Sequence, residues 1–191
     1  QVFEDNSNSA ARLQITNNTI SNNIASGYMG AGGIYISWQG LNTGVITGNT
    51  ISDNIGEYGG GIYATGSLII SGNTIENNKA GRYEDYDGRF SLDGKGGGIR
   101  SDGDTAVQIL NNIIKGNQAQ AGGGIAGGGT ITGNTIMENS GGGFSDYDNG
   151  SGTFTDNFVL NNSGGGISLT QNGGIDVVTG NVIAGNTSSN D

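Results

Sequence analysis

The chain has no cysteine, no histidine and no proline among its 191 residues. Without cysteine it can form neither disulfides nor thiolate sites. Without histidine it lacks the commonest general base, the usual partner of serine and cysteine nucleophiles, and the most frequent zinc ligand. Any catalysis would therefore depend on carboxylates, lysine, arginine or tyrosine.

Basic residues are also scarce, with seven lysines and arginines against 17 acidic residues and a formal net charge of −10. A field of this sign repels nucleic acid and anionic membranes, so we expect no nucleic-acid partner. No apolar run approaches the roughly 20 residues of a membrane span, so we expect no direct membrane insertion. We interpret the start at Gln1, without a visible signal peptide, as that of a mature or excised piece.

What the chain has instead is an internal repeat. The motif Asn-x-(Ile/Val)-x-x-Asn occurs seven times. Successive copies begin 31, 24, 39, 22, 23 and 24 residues apart, so the base period is 22–24 residues with extra residues in the first and third intervals. The opening asparagines are Asn18, Asn49, Asn73, Asn112, Asn134, Asn157 and Asn181. The closing asparagines are Asn23, Asn54, Asn78, Asn117, Asn139, Asn162 and Asn186.

The residue types of the repeat predict short strands joined by tight corners. Ile46 and Ile51 flank a Gly48-Asn49 corner, where glycine and asparagine tolerate positive φ. A second element, Gly-Gly followed by an apolar residue, supplies a third strand. Equivalent residues of parallel coils stack about 4.8 Å apart, so the asparagines are expected to form hydrogen-bonded ladders. The apolar residues after Gly-Gly are Ile34, Ile62, Ile99, Ile125, Phe144 and Ile167.

The repeat therefore predicts an all-β solenoid, a parallel β-helix of about seven coils with three short strands per coil. We expect one domain over residues 1–191, with a loop insertion at 79–95 and a shorter one at 25–33. The two ends lie at nearly the same phase of the coil, and open β-edges invite pairing. Two interpretations follow. Either the chain is a piece cut from a longer passenger domain, or copies of it stack head to tail into a filament.

The combination of Gly-Gly-(Ala/Gly)-Ile with Phe/Ile-x-x-Asn resembles the repeats of polymorphic outer-membrane proteins, a family of autotransporter-like adhesins. It is also similar to the β-helix repeats of the wider pectate-lyase-like superfamily. The resemblance covers about residues 3–190. It implies a right-handed parallel β-helix and an extracellular or cell-surface location. It leaves the activity open, because this scaffold carries adhesins, lyases, epimerases and hydrolases.

The 79–95 insertion is the main candidate site, because solenoid insertions often carry function. It and the following strand bring basic and acidic residues together. The resemblance to β-helix polysaccharide lyases implies a cationic base beside carboxylates or calcium, and a pair of carboxylates would suit an inverting hydrolase. The ordinary alternative is a charged, solvated loop. The candidate catalytic residues are Lys95, Arg100, Asp102 and Asp104.

Two acidic turns share an Asp-x-Asp pattern closed by glycine, which suits a hard cation such as Ca²⁺. Neither has the remaining ligands of a full calcium loop, so solvated acidic turns are the alternative. The candidate calcium ligands are Asp85, Asp87, Asp146 and Asp148.

Aromatic residues are concentrated before residue 90, and Tyr35 and Tyr63 occupy equivalent positions, so they are expected to stack on the outer surface. Exposed aromatic rings beside polar groups suit the apolar faces of sugars, although a tyrosine ladder that only stabilises the sheet fits equally well. The candidate glycan-binding residues are Tyr35, Trp38, Tyr63, Tyr83 and Tyr86.

The outward face of the later coils is apolar, at Ile113, Phe158 and Val182, which indicates burial against a partner or another copy. Outward threonine and serine residues form two columns in the early coils, Thr16, Thr47 and Ser71, and Thr19, Thr50 and Thr74. These columns break at Leu110 and Phe158, so a flat ice-binding array is disfavoured. We expect a non-catalytic structural or adhesive module of an extracellular microbial surface protein or filament. Its expected partners are glycans, other surface proteins or itself. The rival hypothesis is a polysaccharide lyase or epimerase.

Overall fold

The computed structural model describes residues 2–3, 13–25, 30–37, 43–83, 90–102, 106–146, 151–170 and 174–188. Within these ranges the chain forms short strands and no helix, so nothing in them is a candidate for a helical membrane span. The strands assemble into three parallel sheets of seven strands each. This confirms the predicted all-β parallel β-helix of about seven coils with three strands per coil.

Each coil contributes one strand to each sheet in turn, and every strand pairs with its equivalent in the neighbouring coils. The first sheet contains β1 (Val2–Phe3), β4 (Ile34–Ser37), β8 (Ile62–Thr65), β14 (Ile99–Ser101), β17 (Ile125–Gly127), β20 (Phe144–Ser145) and β23 (Ile167–Ser168). The second sheet contains β2 (Gln14–Thr16), β5 (Gly44–Thr47), β9 (Leu68–Ser71), β15 (Val107–Leu110), β18 (Gly129–Thr132), β21 (Ser151–Thr155) and β24 (Gly174–Thr179). The third sheet contains β3 (Thr19–Ser21), β6 (Thr50–Ser52), β10 (Thr74–Glu76), β16 (Ile113–Lys115), β19 (Thr135–Met137), β22 (Phe158–Leu160) and β25 (Val182–Ala184).

Two small pairs complete the described strands. β7 (Ile55–Gly56) pairs in parallel with β11 (Lys79–Ala80) at the corner after the third sheet. β12 (Arg82–Tyr83) and β13 (Phe90–Ser91) form an antiparallel pair outside the coil stack.

The core is a column of aliphatic side chains inside the coils. Ile46, Ile51 and Ile62 are completely buried, as alternation along the strands predicts. Phe144 and Phe154 stack inside the later coils with their ring centroids 4.6 Å apart. Because a single coil cannot bury this column, the fold requires the repeat.

The Gly-Gly element marks the corner before the first sheet, where successive backbones approach closely. A Cβ built on Gly61 would lie 2.7 Å from the carbonyl oxygen of Gly98, and one on Gly98 would lie equally close to that of Gly124. Any side chain here would push neighbouring coils apart, which explains why the second glycine recurs.

Two asparagine ladders run the length of the described coils and include all fourteen predicted asparagines. Asn112 illustrates the pattern. Its backbone N–H and its Nδ2 both donate to Oδ1 of Asn134, at 2.9 and 3.0 Å, and Nδ2 also donates to the carbonyl of Ile70 in the preceding coil. Oδ1 of Asn112 in turn accepts from Asn73. Each central asparagine therefore connects three coils.

The asparagine-to-asparagine bonds are directional, because the backbone N–H and Nδ2 of each asparagine donate to Oδ1 of the equivalent asparagine in the next coil. At the early end, Oδ1 of Asn18 and of Asn23 accepts no hydrogen bond within the described residues. At the late end, the backbone N–H groups of Asn181 and Asn186 have no described acceptor. The residue before each ladder asparagine adopts positive φ, and Glu138 does so at 57° although it is neither glycine nor asparagine.

The main insertion is shorter than the predicted 79–95. Lys79 and Ala80 pair with the preceding coil, the Gly94 carbonyl accepts from Gln120, and Lys95 bridges Tyr58 and Ala121. Residues 82–93 are therefore the insertion proper, and 84–89 of it lie outside the described residues. Of the shorter 25–33 segment, residues 26–29 also lie outside them.

The outward face of the third sheet is apolar in the later coils, as expected. Ile113, Phe158 and Val182 are 46, 49 and 46% exposed.

Replacing Asn112 with alanine should lower the free energy of unfolding by about 2–4 kcal/mol, because Asn73 and the Ile70 carbonyl in the preceding coil lose their buried partner and Oδ1 of Asn134 in the next coil loses one of its two donors. The matched control is Asn18→Ala in the same ladder, where solvent reaches the groups left behind and the loss should be about 1 kcal/mol or less. Urea unfolding measures both values. Equal losses would contradict the ladder as the main specific stabilising interaction.

Candidate ligand-binding site

The outward side chains of the first sheet form a column that begins with Tyr35, Tyr63 and Arg100. The two tyrosine rings are stacked, with centroids 4.8 Å apart and planes 10° apart. This confirms the predicted stacking. Each ring covers one face of the other, and a cross-strand aromatic pair of this kind stabilises the sheet.

Asp102 forms hydrogen bonds with both Tyr63 and Arg100, the second and third residues of this column. The Tyr63 hydroxyl donates to Oδ2 of Asp102 at 2.5 Å, and Nε of Arg100 donates to Oδ1 at 2.7 Å. Arg100 is only 9% exposed, so its charge needs a close partner. Asp102 follows β14 directly, and the parallel register places it beside the coil that carries Tyr63.

The same contacts hold the phenol of Tyr63 in its neutral form. Burial raises its pKa above the ordinary value, and the hydrogen bond to Asp102 and the charge of that carboxylate raise it further. Tyr63 therefore keeps its proton at neutral pH and is unsuited to act as a general base.

Tyr58 lies at the corner before the first sheet and packs against this group. The guanidinium carbon of Arg100 lies 4.4 Å from the centroid of its ring, a cation–π contact. The ring also meets Tyr63 edge to face, with centroids 6.4 Å apart.

A pocket of about 250 Å³ opens beside Tyr58. Its walls come from adjacent coils and from the base of the insertion. They are formed by Glu57, Tyr58, Asp93, Gly94, Lys95 and Arg100.

Arg82, in the insertion, connects two of these walls. Its Nη1 lies 3.3 Å from Oε1 of Glu57, and its Nη2 lies 3.1 Å from Oδ2 of Asp93. Among the described residues, the second oxygen of each carboxylate is buried and has no hydrogen-bond donor. A buried acceptor without a donor is costly, so this pair is the least satisfied polar feature of the site.

The predicted catalytic residues are partly brought together. Lys95 and Arg100 line the pocket, and Asp102 bonds Arg100 from outside it. Asp104 lies outside the described residues.

Of the predicted glycan-binding residues, Tyr35 and Tyr63 are adjacent, and the backbone of Tyr83 forms part of β12. Trp38 and Tyr86 lie outside the described residues. The assignment of glycan binding to individual residues stays a prediction.

Asp146 does not lie in a solvated acidic turn. It follows β20 at an inward position, is 2% exposed, and its Oδ1 accepts from the backbone N–H of Thr170 at 2.7 Å. Asp85, Asp87 and Asp148 lie outside the described residues. Among the residues that the structure does describe, no cluster of three or more acidic side chains is arranged to hold a metal ion.

Sequence reasoning missed Tyr58, Glu57, Arg82 and Asp93 as site residues. A signal for one contact was present, because Tyr58 and Lys95 each precede a run of three glycines and therefore stack on one another. No repeat position marks Arg82 or Asp93, which lie in the insertion.

The raised pKa of Tyr63 predicts a stability loss at alkaline pH. The unfolded chain releases this proton near pH 10, whereas the folded chain retains it. The stabilisation is therefore complete below about pH 10 and falls as the pH rises above it. Tyr63→Phe should reduce the slope of unfolding free energy against pH in this range, and Tyr35→Phe, which leaves Tyr63 and Asp102 in place, should retain it. Equal slopes in both variants would contradict the assignment.

The architecture agrees with comparison to known families. The family described as right handed beta helix region matches residues 2–126 and 89–190. No curated protein and no solved structure matches the chain. With both family matches spanning the repeats and all three parallel sheets in place, the chain belongs to the right-handed β-helix family.

Proposed function

We propose that this chain is a non-catalytic structural and adhesive module of an extracellular microbial surface protein or filament, and that it binds a glycan in the pocket beside Tyr58. The observation that carries the proposal is the convergence of an aromatic ring, two cations and two carboxylates at one shallow pocket on a rigid rod. Sugar sites combine an apolar wall with a few fixed polar groups, and this pocket offers both.

The state of the site residues favours binding over catalysis. Arg100 is buried, bonded to Asp102 and packed on Tyr58, so its guanidinium is held in place and charged. The raised pKa of Tyr63 also disfavours this residue as a base near the pocket. Lysine and arginine in one pocket nevertheless favour polysaccharide lyase or epimerase chemistry as the second candidate function.

Tyr58→Ala and Lys95→Ala should each weaken glycan binding by about tenfold or more, because each removes a wall of the pocket. Phe158→Ala and Lys115→Ala are the matched controls, since they remove an exposed ring and a cation from the third sheet and should leave affinity unchanged. A glycan array followed by calorimetry measures the affinities.

The same samples test the alternative. Turnover of a uronic-acid polysaccharide to an unsaturated product, lost in Arg100→Ala, would overturn the non-catalytic assignment. Equal binding by the pocket variants and the controls would overturn the pocket as the glycan site.

We also propose end-to-end contact between copies, supported by the direction of the ladders. Within the described part of the chain, Oδ1 of Asn18 and of Asn23 is an acceptor without a donor, and the N–H groups of Asn181 and Asn186 are donors without an acceptor. The two asparagines at each end are five residues apart, so both ladders can continue together from one copy into the next.

Ile183→Lys should abolish concentration-dependent association, because it places a charge at an inward position that is 49% exposed in the last described coil. Phe158→Lys, on the outward face, should retain association. Sedimentation and electron micrographs provide the measurements, and dispersed wild-type rods at high concentration would contradict the proposal.

A further inference from the structure

The two threonine columns of the early coils lie on different sheets. One column belongs to the third sheet, and Phe158 interrupts that column alone. The other column belongs to the second sheet, where Leu110 is its only member that is neither threonine nor serine. This second-sheet column resumes after Leu110 and continues to the last described coil. Its members in chain order are Thr16, Thr47, Ser71, Leu110, Thr132, Thr155 and Thr179.

The second sheet has a parallel outward column two residues earlier on each strand, and the two columns together form its outer face. No residue in either column is acidic or basic, although the chain contains 17 acidic and seven basic residues. A face without charge in so acidic a chain favours a neutral partner, because no ionised side chain has to lose its hydration on contact. The members of the earlier column are Gln14, Val45, Ile69, Gln108, Thr130, Thr153 and Val177.

The asparagine ladder at the edge of this face keeps the spacing between coils constant. From Asn18 to Asn181, the Nδ2 of each asparagine donates to Oδ1 of the next at 2.9–3.1 Å in every step. Long sheets normally twist, and side-chain ladders of this kind stabilise flat ones. Equivalent side chains are therefore about 4.8 Å apart between coils, and the two outward residues of one strand are about 6.7 Å apart.

Hydroxyl groups of neighbouring coils also bond to one another on this face. The Oγ1 atoms of Thr132 and Thr155 lie 2.9 Å apart, and Oγ of Ser71 donates to Oγ1 of Thr47 at 3.3 Å. These bonds and the stiffness of branched side chains fix the rotamers, so hydroxyl and methyl groups repeat at set positions. The most regular part is a block of four threonines from two adjacent coils, Thr130, Thr132, Thr153 and Thr155.

We infer that the outer face of the second sheet binds the surface of ice. Ice is an uncharged lattice of hydrogen-bond donors and acceptors, and the two repeats of the threonine grid are comparable with the oxygen–oxygen repeats on a prism face of ice. A hydroxyl group takes the place of a lattice water, and the methyl group beside it fits between lattice positions. An ionised group would retain a hydration shell that the lattice does not accommodate, which accounts for the lack of charge.

The interruption at Phe158, which disfavours such an array in the sequence, lies on another sheet and does not affect this face. The face is also separate from the pocket beside Tyr58, whose column lies on the first sheet. Ice binding therefore goes beyond the proposed glycan-binding function and does not depend on it.

Thr132→Lys tests the face, and Thr135→Lys, in the same coil but on the third sheet, is its matched control. The wild-type chain should inhibit ice recrystallisation and lower the freezing point of ice below its melting point. Thr132→Lys should lose most of both effects, because the hydrated ammonium group holds the lattice away from the sheet, whereas Thr135→Lys should keep them. Osmometry on single ice crystals and microscopy of annealed ice measure the two effects, and circular dichroism checks that the variants fold.

Leu110→Thr tests the same face by a gain of activity. It completes the threonine column and should increase the freezing-point depression at equal protein concentration. Ile113→Thr, in the same coil but on the third sheet, is the control and should leave the depression unchanged. Should Thr132→Lys fail to fold, this second pair of variants decides whether the second sheet is the site.

Three results would overturn the inference. The first is a wild-type chain that neither inhibits recrystallisation nor lowers the freezing point. The second is an equal loss in Thr132→Lys and Thr135→Lys, or a gain in Ile113→Thr without one in Leu110→Thr. The third is concentration-dependent association that Thr132→Lys abolishes, without any effect on ice, since the face would then contact another copy of the chain.

Discussion

The hydrogen bonds between stacked asparagines are the interaction on which the other features depend. Each central asparagine uses its amide group on the coils before and after its own, so the coils can stack in one register only. That register aligns the isoleucines inside the rod and brings glycine backbones together at the corner. A shift by one residue would turn the buried isoleucines toward solvent.

The same register also determines which outward side chains lie next to each other on the surface. Tyr63 and Asp102 are 39 residues apart in the chain, yet they bond because they lie in adjacent coils. Lys95 lies beside Tyr58 for the same reason. In a chain with a net charge of −10, this register places the cations Lys95 and Arg100 at one pocket. A rigid scaffold of this kind holds such groups without a large entropic cost on binding.

Membership of the right-handed β-helix family establishes the architecture and leaves the activity to the site. The site contains charged groups that are mostly engaged with each other, through Asp102 and through Arg82. This arrangement is the basis of the proposal that the site recognises a ligand with fixed groups, since proton transfer would need a group able to exchange its proton near neutral pH.

The sequence alone determined the coils, their number, the fourteen ladder asparagines, the buried isoleucines and the stacking of Tyr35 on Tyr63. These could be predicted because in a solenoid each repeat position maps to one place in every coil. The tertiary structure decided the rest: the packing of Arg100 on Tyr58, the joining of Glu57 and Asp93 by Arg82, and the burial of Asp146. Most of these residues lie at corners or in the insertion, or have long side chains. Their contacts depend on the three-dimensional course of the backbone and on side-chain conformation, which no repeat position specifies.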